Sequence, residues 1–409
     1  MPLASRTFGD LITFTRGSPG SYFDSSGVLQ SAAINVPRFD YDPVTLAARG
    51  ILVEIGITNR VRNNTAVGAV AGTPGTMPTN WGTFTTLTGL TREVVGTGTE
   101  SGISYIDVRL SGTPSAAGQY ILYPEASNSA AAALAQTWTH SSYLKLVAGS
   151  FSGLTSASIA LIEYSAVPAF LAGTYAVVVP TGSGLVTQRF SATRTTNQAT
   201  VAFVAPQFSF SLDGAAVDFT LRIGMPQLEQ NAFPTSIVPT STVAVTRSPD
   251  VAYTDTLSPW FNMTEGALYA KFLVASLGSP GNRVVAILGV VGGAPNRGNY
   301  ININDASNDA ANFLIYDDAS VFQGVSTPVV TTVVNTEMQV AGAYKVDDSA
   351  MSINGAVPVT DATVTLSNTI DRLRMGASLN GGSPLSGWIQ QFEYYPVRLT
   401  NADLQAITV

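Results

Sequence analysis

The chain has 409 residues, 45% hydrophobic and only 11% charged, where about 25% charged is usual for a soluble domain; that length exceeds one core and implies at least two domains. Cysteine is absent, which excludes thiol catalysis, zinc–thiolate sites and disulfides. The net charge is −7, the lysines are Lys145, Lys271 and Lys345, and the arginines are scattered singly, so no basic stripe exists to grip nucleic acid.

Residues 1–60 read as an irregular, turn-rich segment. Gly17-Ser18-Pro19-Gly20 and Asp24-Ser25-Ser26-Gly27 are turn chemistry, and only Gly50-Ile51-Leu52-Val53-Glu54 looks like a strand end. Such a segment holds too little apolar mass for its own core and is expected to lie on another surface. The first residues, Met1-Pro2-Leu3-Ala4-Ser5-Arg6, show no apolar signal-peptide core. No uncharged apolar run reaches membrane-spanning length; the expectation is cytoplasmic synthesis without membrane insertion.

Residues 65–80 are rich in Gly, Ala, Thr and Pro and read as a connector. From Trp81 to about Glu229 come short alternating strands: 102–110, 143–147, 157–163, 173–179, 199–204 and 217–223, with Gly/Ser/Thr turns between them. This spacing predicts a β-sandwich, with one helical turn in the alanine-rich stretch 129–136. Pro234, Pro239, Pro249 and Pro259 punctuate a polar, Thr-rich linker, with a boundary near 250. The last unit has strands at 267–272, 299–304, 312–316, 372–376 and 387–395. A polar hairpin turn spans 305–309, and Thr400 with Asp403 caps a short terminal helix. The expected class is all-β: two β-sandwich (jelly-roll) domains, 61–245 and 246–409, preceded by an irregular anchoring segment, 1–60.

Three stretches carry a family resemblance. Arg38-Phe39-Asp40-Tyr41-Asp42-Pro43, followed by Gly50-Ile51-Leu52-Val53-Glu54 and Thr58-Asn59, resembles the N-terminal signature of tailed-bacteriophage fibre and spike proteins. Gly224-Met225-Pro226-Gln227-Leu228-Glu229, with Phe233-Pro234-Thr235-Ser236 and Thr246-Arg247-Ser248-Pro249-Asp250, resembles the closing strand and exit linker of a carbohydrate-binding-module-like jelly roll. Glu265-Gly266-Ala267-Leu268-Tyr269-Ala270, Leu373-Arg374-Met375-Gly376, Leu385-Ser386-Gly387-Trp388-Ile389 and Tyr394-Tyr395-Pro396 are similar to concanavalin A-like (laminin-G-like) domains. Glycan-cutting enzymes of that last fold carry Glu-x-Asp-x-x-Glu on a strand, and this spacing is absent here.

Reactive constellations are sparse. The single histidine, His140, lacks a neighbouring acid in sequence and reads as structural rather than as part of a Ser–His pair. Asp317-Asp318 and Asp347-Asp348 would point to opposite faces of a strand and read as turn residues, not as opposed glycosidase acids. Asn304, Asp305, Asn308 and Asp309 could offer oxygens to calcium, but an Asx-rich turn explains them without a metal, and no cofactor is expected. Trp81, Tyr105, Trp138 and Trp388 are candidate sugar-stacking rings, with core packing the competing reading for each. Arg38, Phe39, Asp40, Tyr41 and Asp42 are candidate docking residues, either stapling the segment to a neighbouring subunit by charge-assisted bonds or forming a local buried network.

The resemblance implies a structural virion protein, a head fibre, spike or tail fibre, exposed on the particle surface and adhering to host-surface polysaccharide. Its partners would be other capsid or tail proteins and copies of itself, a trimer being favoured. A phage depolymerase is the enzymatic alternative, and a free bacterial lectin the cellular one.

Overall fold

The structure, a computed structural model, describes residues 7–277, 282–292, 297–304, 309–324 and 330–409. The chain is all-β, and its architecture follows from period-2 alternation. In the strand Ile103–Gly112, Ile106, Val108 and Leu110 are buried. Between them Asp107 and Arg109 point outward to Arg222 and Asp218 on the neighbouring strand.

The first sandwich stacks two antiparallel sheets. The front sheet runs in the order Phe170–Val177, Leu154–Tyr164, Phe203–Leu212, Gly118–Tyr123, Gly82–Phe84. The back sheet runs Arg189–Thr195, Thr137–Ser150, Val217–Glu229, Ile103–Gly112, Leu90–Glu100. Their inner faces meet in one core, with Ile159, Phe208, Phe210 and Leu122 from the front against Ile106, Leu144, Phe219 and Leu221 from the back.

Two local expectations are corrected. The alanine-rich stretch makes no helical turn; Ala130–Ala131 instead pairs with Val204 and Phe203 and extends the front sheet. The strand expected at 199–204 begins only at Phe203 and continues to Leu212. Pro206 hides it in the sequence, because proline cannot donate to a ladder. On one side of this strand the pairing to Gly118–Tyr123 stops at Phe208 and the pairing to Ala130–Ala131 starts at Val204. Pro206 falls in the gap.

The second sandwich pairs a seven-stranded sheet, Val359–Asp361, Ser349–Ile353, Met338–Lys345, Glu265–Val274, Gly387–Tyr395, Ala48–Val53, Phe39–Tyr41, with a six-stranded one, Thr13–Thr15, Val251–Thr254, Arg372–Met375, Arg283–Gly289, Gly298–Asn304, Ala310–Tyr316. The hairpin pairing of Gly298–Asn304 with Ala310–Tyr316 agrees with the sequence reading. Its turn residues 305–308, and with them Asp305 and Asn308 of the calcium candidate set, lie outside the described residues. The terminal helix Asn401–Ile407 carries the expected reciprocal cap between Thr400 and Asp403.

Residues 7–60 are not an irregular segment lying on a finished fold. Ala48–Val53 pairs with the strand Gly387–Tyr395, Phe39–Tyr41 extends that edge, and Thr13–Thr15 closes the opposite sheet. Phe14, Ile51 and Val53 belong to the core of the second sandwich. The hairpin Gly20–Phe23/Leu29–Ala32 instead covers the outside of the back sheet, where Phe23 and Leu29 pack on Ile103, Tyr143 and Ile237. The segment therefore stitches both sandwiches together, because its apolar positions are too few to pack on each other and are shared out between the second core and the outer face of the first sandwich's back sheet.

Candidate functional site

The aromatic residues singled out in the sequence are occupied internally. Trp138 is 1% exposed and donates its indole N–H to Gln136. Trp81 is buried with its N–H on the Asn63 carbonyl at 2.7 Å. Trp388 is buried with its N–H on Asp40 Oδ2 at 2.7 Å, beneath the guanidinium of Arg49 at 4.7 Å. Tyr105 is half-buried under Arg222, whose guanidinium carbon lies 3.5 Å from the ring centroid. Each indole has found the partner that a buried N–H requires, and none of the three tryptophans offers a free face to a sugar.

The docking candidates are also largely spent within the chain. Arg38 is wholly buried, bonded to Glu54 at 2.8 Å and to Asp250, so it cannot staple this segment to a neighbouring subunit. Asp40 accepts from the Phe23 N–H and from Trp388; burial pushes its carboxyl up despite these donors. Asp42 closes a turn by accepting from Val44 and Thr45 and pairs with Arg49 at 2.6 Å. Phe39 is exposed, with its ring edge-on to Phe8 at 5.7 Å.

The ring-bearing surface lies elsewhere, on the outer face of the front sheet. Inward alternation of Tyr120 and Leu122 sends Ile121 and Tyr123 outward, and the register places Phe84 opposite Ile121. On the neighbouring strands Gln207, Tyr164 and Tyr175 face the same way, and a register shift at Glu163/Tyr164 brings in Phe170. These side chains line an open cleft of about 730 Å³. Phe84 and Phe170 are each about 60% exposed and Tyr175 is 43% exposed, which is unusual for rings on a sheet unless something covers them. Polar reach comes from Gln119 and Gln207, the latter donating to the Tyr164 hydroxyl at 2.7 Å. Glu125, the one carboxylate lining the cleft among the described residues, is fully buried and gripped by Arg62 through Nε and Nη2. A lone, clamped carboxylate cannot serve as one of two opposed acids across a glycosidic bond.

Sequence reading missed Phe84, Tyr123, Tyr164, Phe170 and Tyr175. The available signal was a broken alternation: Tyr120-Ile121-Leu122-Tyr123 is apolar at both parities, so both faces of that strand meet apolar partners.

His140 is buried in the first core, with Nδ1 on the Ala160 carbonyl at 3.0 Å and its ring edge against Phe208. Burial pulls its pKa down to about 3 although the Ala160 carbonyl opposes the shift. It is a core residue and reaches no cleft. Above pH ~6.5 it is neutral in both folded and unfolded chains. As pH falls from there toward 3, the unfolded chain takes up a proton that the fold refuses, so stability drops by on the order of 4 kcal/mol. We expect His140→Gln, read by urea denaturation at a series of pH values, to remove most of that slope; an unchanged acid limb would show that another group carries it.

No protein-family model matches the chain, and no curated protein sequence matches it. Among solved structures it is similar to the CBM40 domain of the Ruminococcus gnavus IT-sialidase bound to α2,3-sialyllactose (14% identity, 36% of this chain and 84% of that one, TM-score 0.31). It is also similar to Trypanosoma rangeli sialidase in complex with the inhibitor DANA (9%, 74% and 60%, TM-score 0.30). A third likeness is to the tandem CBM22 domains of Paenibacillus barcinonensis Xyn10C (9%, 81% and 99%, TM-score 0.25). At these TM-scores the likenesses carry no argument about function, and the site's own chemistry has to supply it.

Proposed function

We propose that this chain is an adhesive structural protein of a tailed-phage particle, and that it binds host-surface polysaccharide along the front-sheet cleft without cleaving it. The observation that carries the binding reading is the row of solvent-facing rings at Phe84, Phe170 and Tyr175, flanked by Gln119 and Gln207. Aromatic faces stack on the apolar faces of pyranose rings, and amide groups serve their hydroxyls. The cleft is open along its length, which suits an internal stretch of a polymer better than an enclosed small molecule. The resemblance of residues 38–59 to phage fibre and spike proteins supports the virion placement. A chain with 11% charged residues suits a body packed against copies of itself, a trimer being the favoured arrangement. Weak sites would then add through multivalency.

The test uses capsular and lipopolysaccharide fractions of the host strain. Native protein should bind by calorimetry, and Phe170→Ala with Tyr175→Ala should weaken binding by about 10- to 100-fold, as loss of one or two stacked rings implies, with the melting temperature unchanged. Unchanged affinity in the double variant removes the cleft from the reading. Release of new reducing ends during incubation would replace adhesion with depolymerase activity.

A further inference from the structure

A separate cavity of about 480 Å³ lies where the N-terminal hairpin, the back sheet of the first sandwich and the second sandwich meet. Three polar groups on its wall are held rigidly yet left incompletely bonded. Asp40 is almost wholly buried and is fixed by the Phe23 N–H at 2.6 Å and the Trp388 indole at 2.7 Å. It enters no ion pair among the described residues, and a carboxylate with two donors retains further acceptor sites. Arg189 is fixed by the Thr235 carbonyl at 2.8 Å and Ser141 Oγ at 3.0 Å, and it has no carboxylate within ion-pair distance among the described residues. Tyr143, only 3% exposed and set against Arg189 at 5.6 Å, has a hydroxyl with no hydrogen-bond partner among the described residues. Phe23 and Tyr22 add half-buried ring surface to the same wall.

We infer that this junction cavity is a second saccharide site, taking one or two pyranose rings. A pyranose carries adjacent hydroxyls that both donate and accept, together with an apolar ring face. It can therefore donate to Asp40, accept from Tyr143 and Arg189, and rest against the rings. An apolar ligand would leave the Tyr143 hydroxyl and the remaining acceptor sites of Asp40 unpaired, and a phosphate would face the repulsion of Asp40. The volume lies within the range of small-ligand pockets. The site shares no residue with the front-sheet cleft and stands whether or not that cleft binds polymer. Its walls come from three parts of the chain, so an occupant also ties those parts together.

The test titrates full-length protein with methyl pyranosides of glucose, galactose and glucuronic acid, by saturation-transfer NMR and calorimetry. At least one should bind saturably. Tyr143→Phe, which removes only the hydroxyl, should weaken it by about 5- to 10-fold. Val44→Trp, at a rim position that is 60% exposed, should abolish binding, and both variants should melt like the native protein. Phe170→Ala with Tyr175→Ala should leave this binding intact. Preference for the glucuronide would place its carboxylate on Arg189, and equal affinities would assign hydroxyls there; either upholds the site. The inference is overturned if no pyranoside saturates the native protein. It is equally overturned if binding survives Tyr143→Phe and Val44→Trp unchanged, or is lost in the cleft variant instead.

Discussion

Glu54→Gln is expected to destabilise the fold by about 3–5 kcal/mol, the usual cost of breaking a buried ion pair from one side. Glu54 sits in a buried cluster with Asp250, Arg16, Arg38 and Arg247. It accepts from Arg38 at 2.8 Å, from Arg247, and from the N–H and hydroxyl of Ser236 at 2.8 and 2.6 Å. Three cations share two carboxylates here, and the excess positive charge is spread onto backbone carbonyls of Ser18, Ala33, Ser21 and Ile55. Removing one carboxylate leaves three buried cations facing one anion. Removing Arg16 leaves two facing two, so Arg16→Met should cost distinctly less than Glu54→Gln. Urea denaturation of both variants checks the order, and a larger loss in Arg16→Met would refute the charge count.

The same cluster sets the low-pH end of the stability curve. Burial alone would raise the Glu54 pKa, but Arg247 and Arg38 bring it down to about 2. A carboxylate with a depressed folded pKa contributes fully above its unfolded value, and that contribution disappears as pH falls through the folded one. The Glu54 loss thus falls between about pH 4.5 and 2, below most of the interval in which His140 acts. Asp40 and Glu229 run the other way. Burial raises both, so their protonation on acidification offsets part of the loss.

The repeating layers were legible from local pattern, and the stitching between them was not. Alternation in residues 102–110 located a back-sheet strand, and Thr400 with Asp403 located the terminal helix, because both signals are short-range. Trp388, Gln390 and Phe392 show where alternation fails. The pairing shifts between Lys271 and Phe272, opposing them to Gln391 and Ile389, so Gln390 is the extra residue. Ile389 and Phe392 consequently both pack on the core. Gly50 accommodates that bulge: its φ is +94°, and a Cβ there would meet the Ile389 carbonyl oxygen at 2.3 Å. None of this appears in the strand's own sequence. Arg38 likewise looked available for a partner subunit, since a polar residue 212 positions from its counter-ion Asp250 gives no local sign of being buried. The cleft rings were invisible for a related reason: period-2 patterning separates two faces but does not tell which apolar face stays uncovered.

Residues 246–409 expressed alone are expected not to fold, whereas residues 61–245 alone should fold. The first core draws its buried members from Ala66 to Ile223 and needs nothing outside its own unit. The second core includes Phe14, Ile51 and Val53, each contributing about 1.5–3 kcal/mol by burial. Their joint removal takes on the order of 5–9 kcal/mol from a domain whose whole stability is about 5–15 kcal/mol. It also strips the pairing of Val53, Leu52 and Ile51 from Gly387, Trp388 and Ile389, leaving a hydrophobic strand as a bare edge open to association. Circular dichroism melts and proton NMR dispersion distinguish the fragments: a cooperative transition for 61–245, and a broad, concentration-dependent loss of signal for 246–409. Supplying residues 7–60, fused ahead of 246–409 through a flexible linker, should restore cooperativity, because those residues return three strands, Thr13–Thr15, Phe39–Tyr41 and Ala48–Val53, and three core side chains at once. A sharp melt from 246–409 unaided would mean that this sandwich closes without the stitch, and that the buried charge cluster, not the shared core, is what holds the N-terminal segment in place.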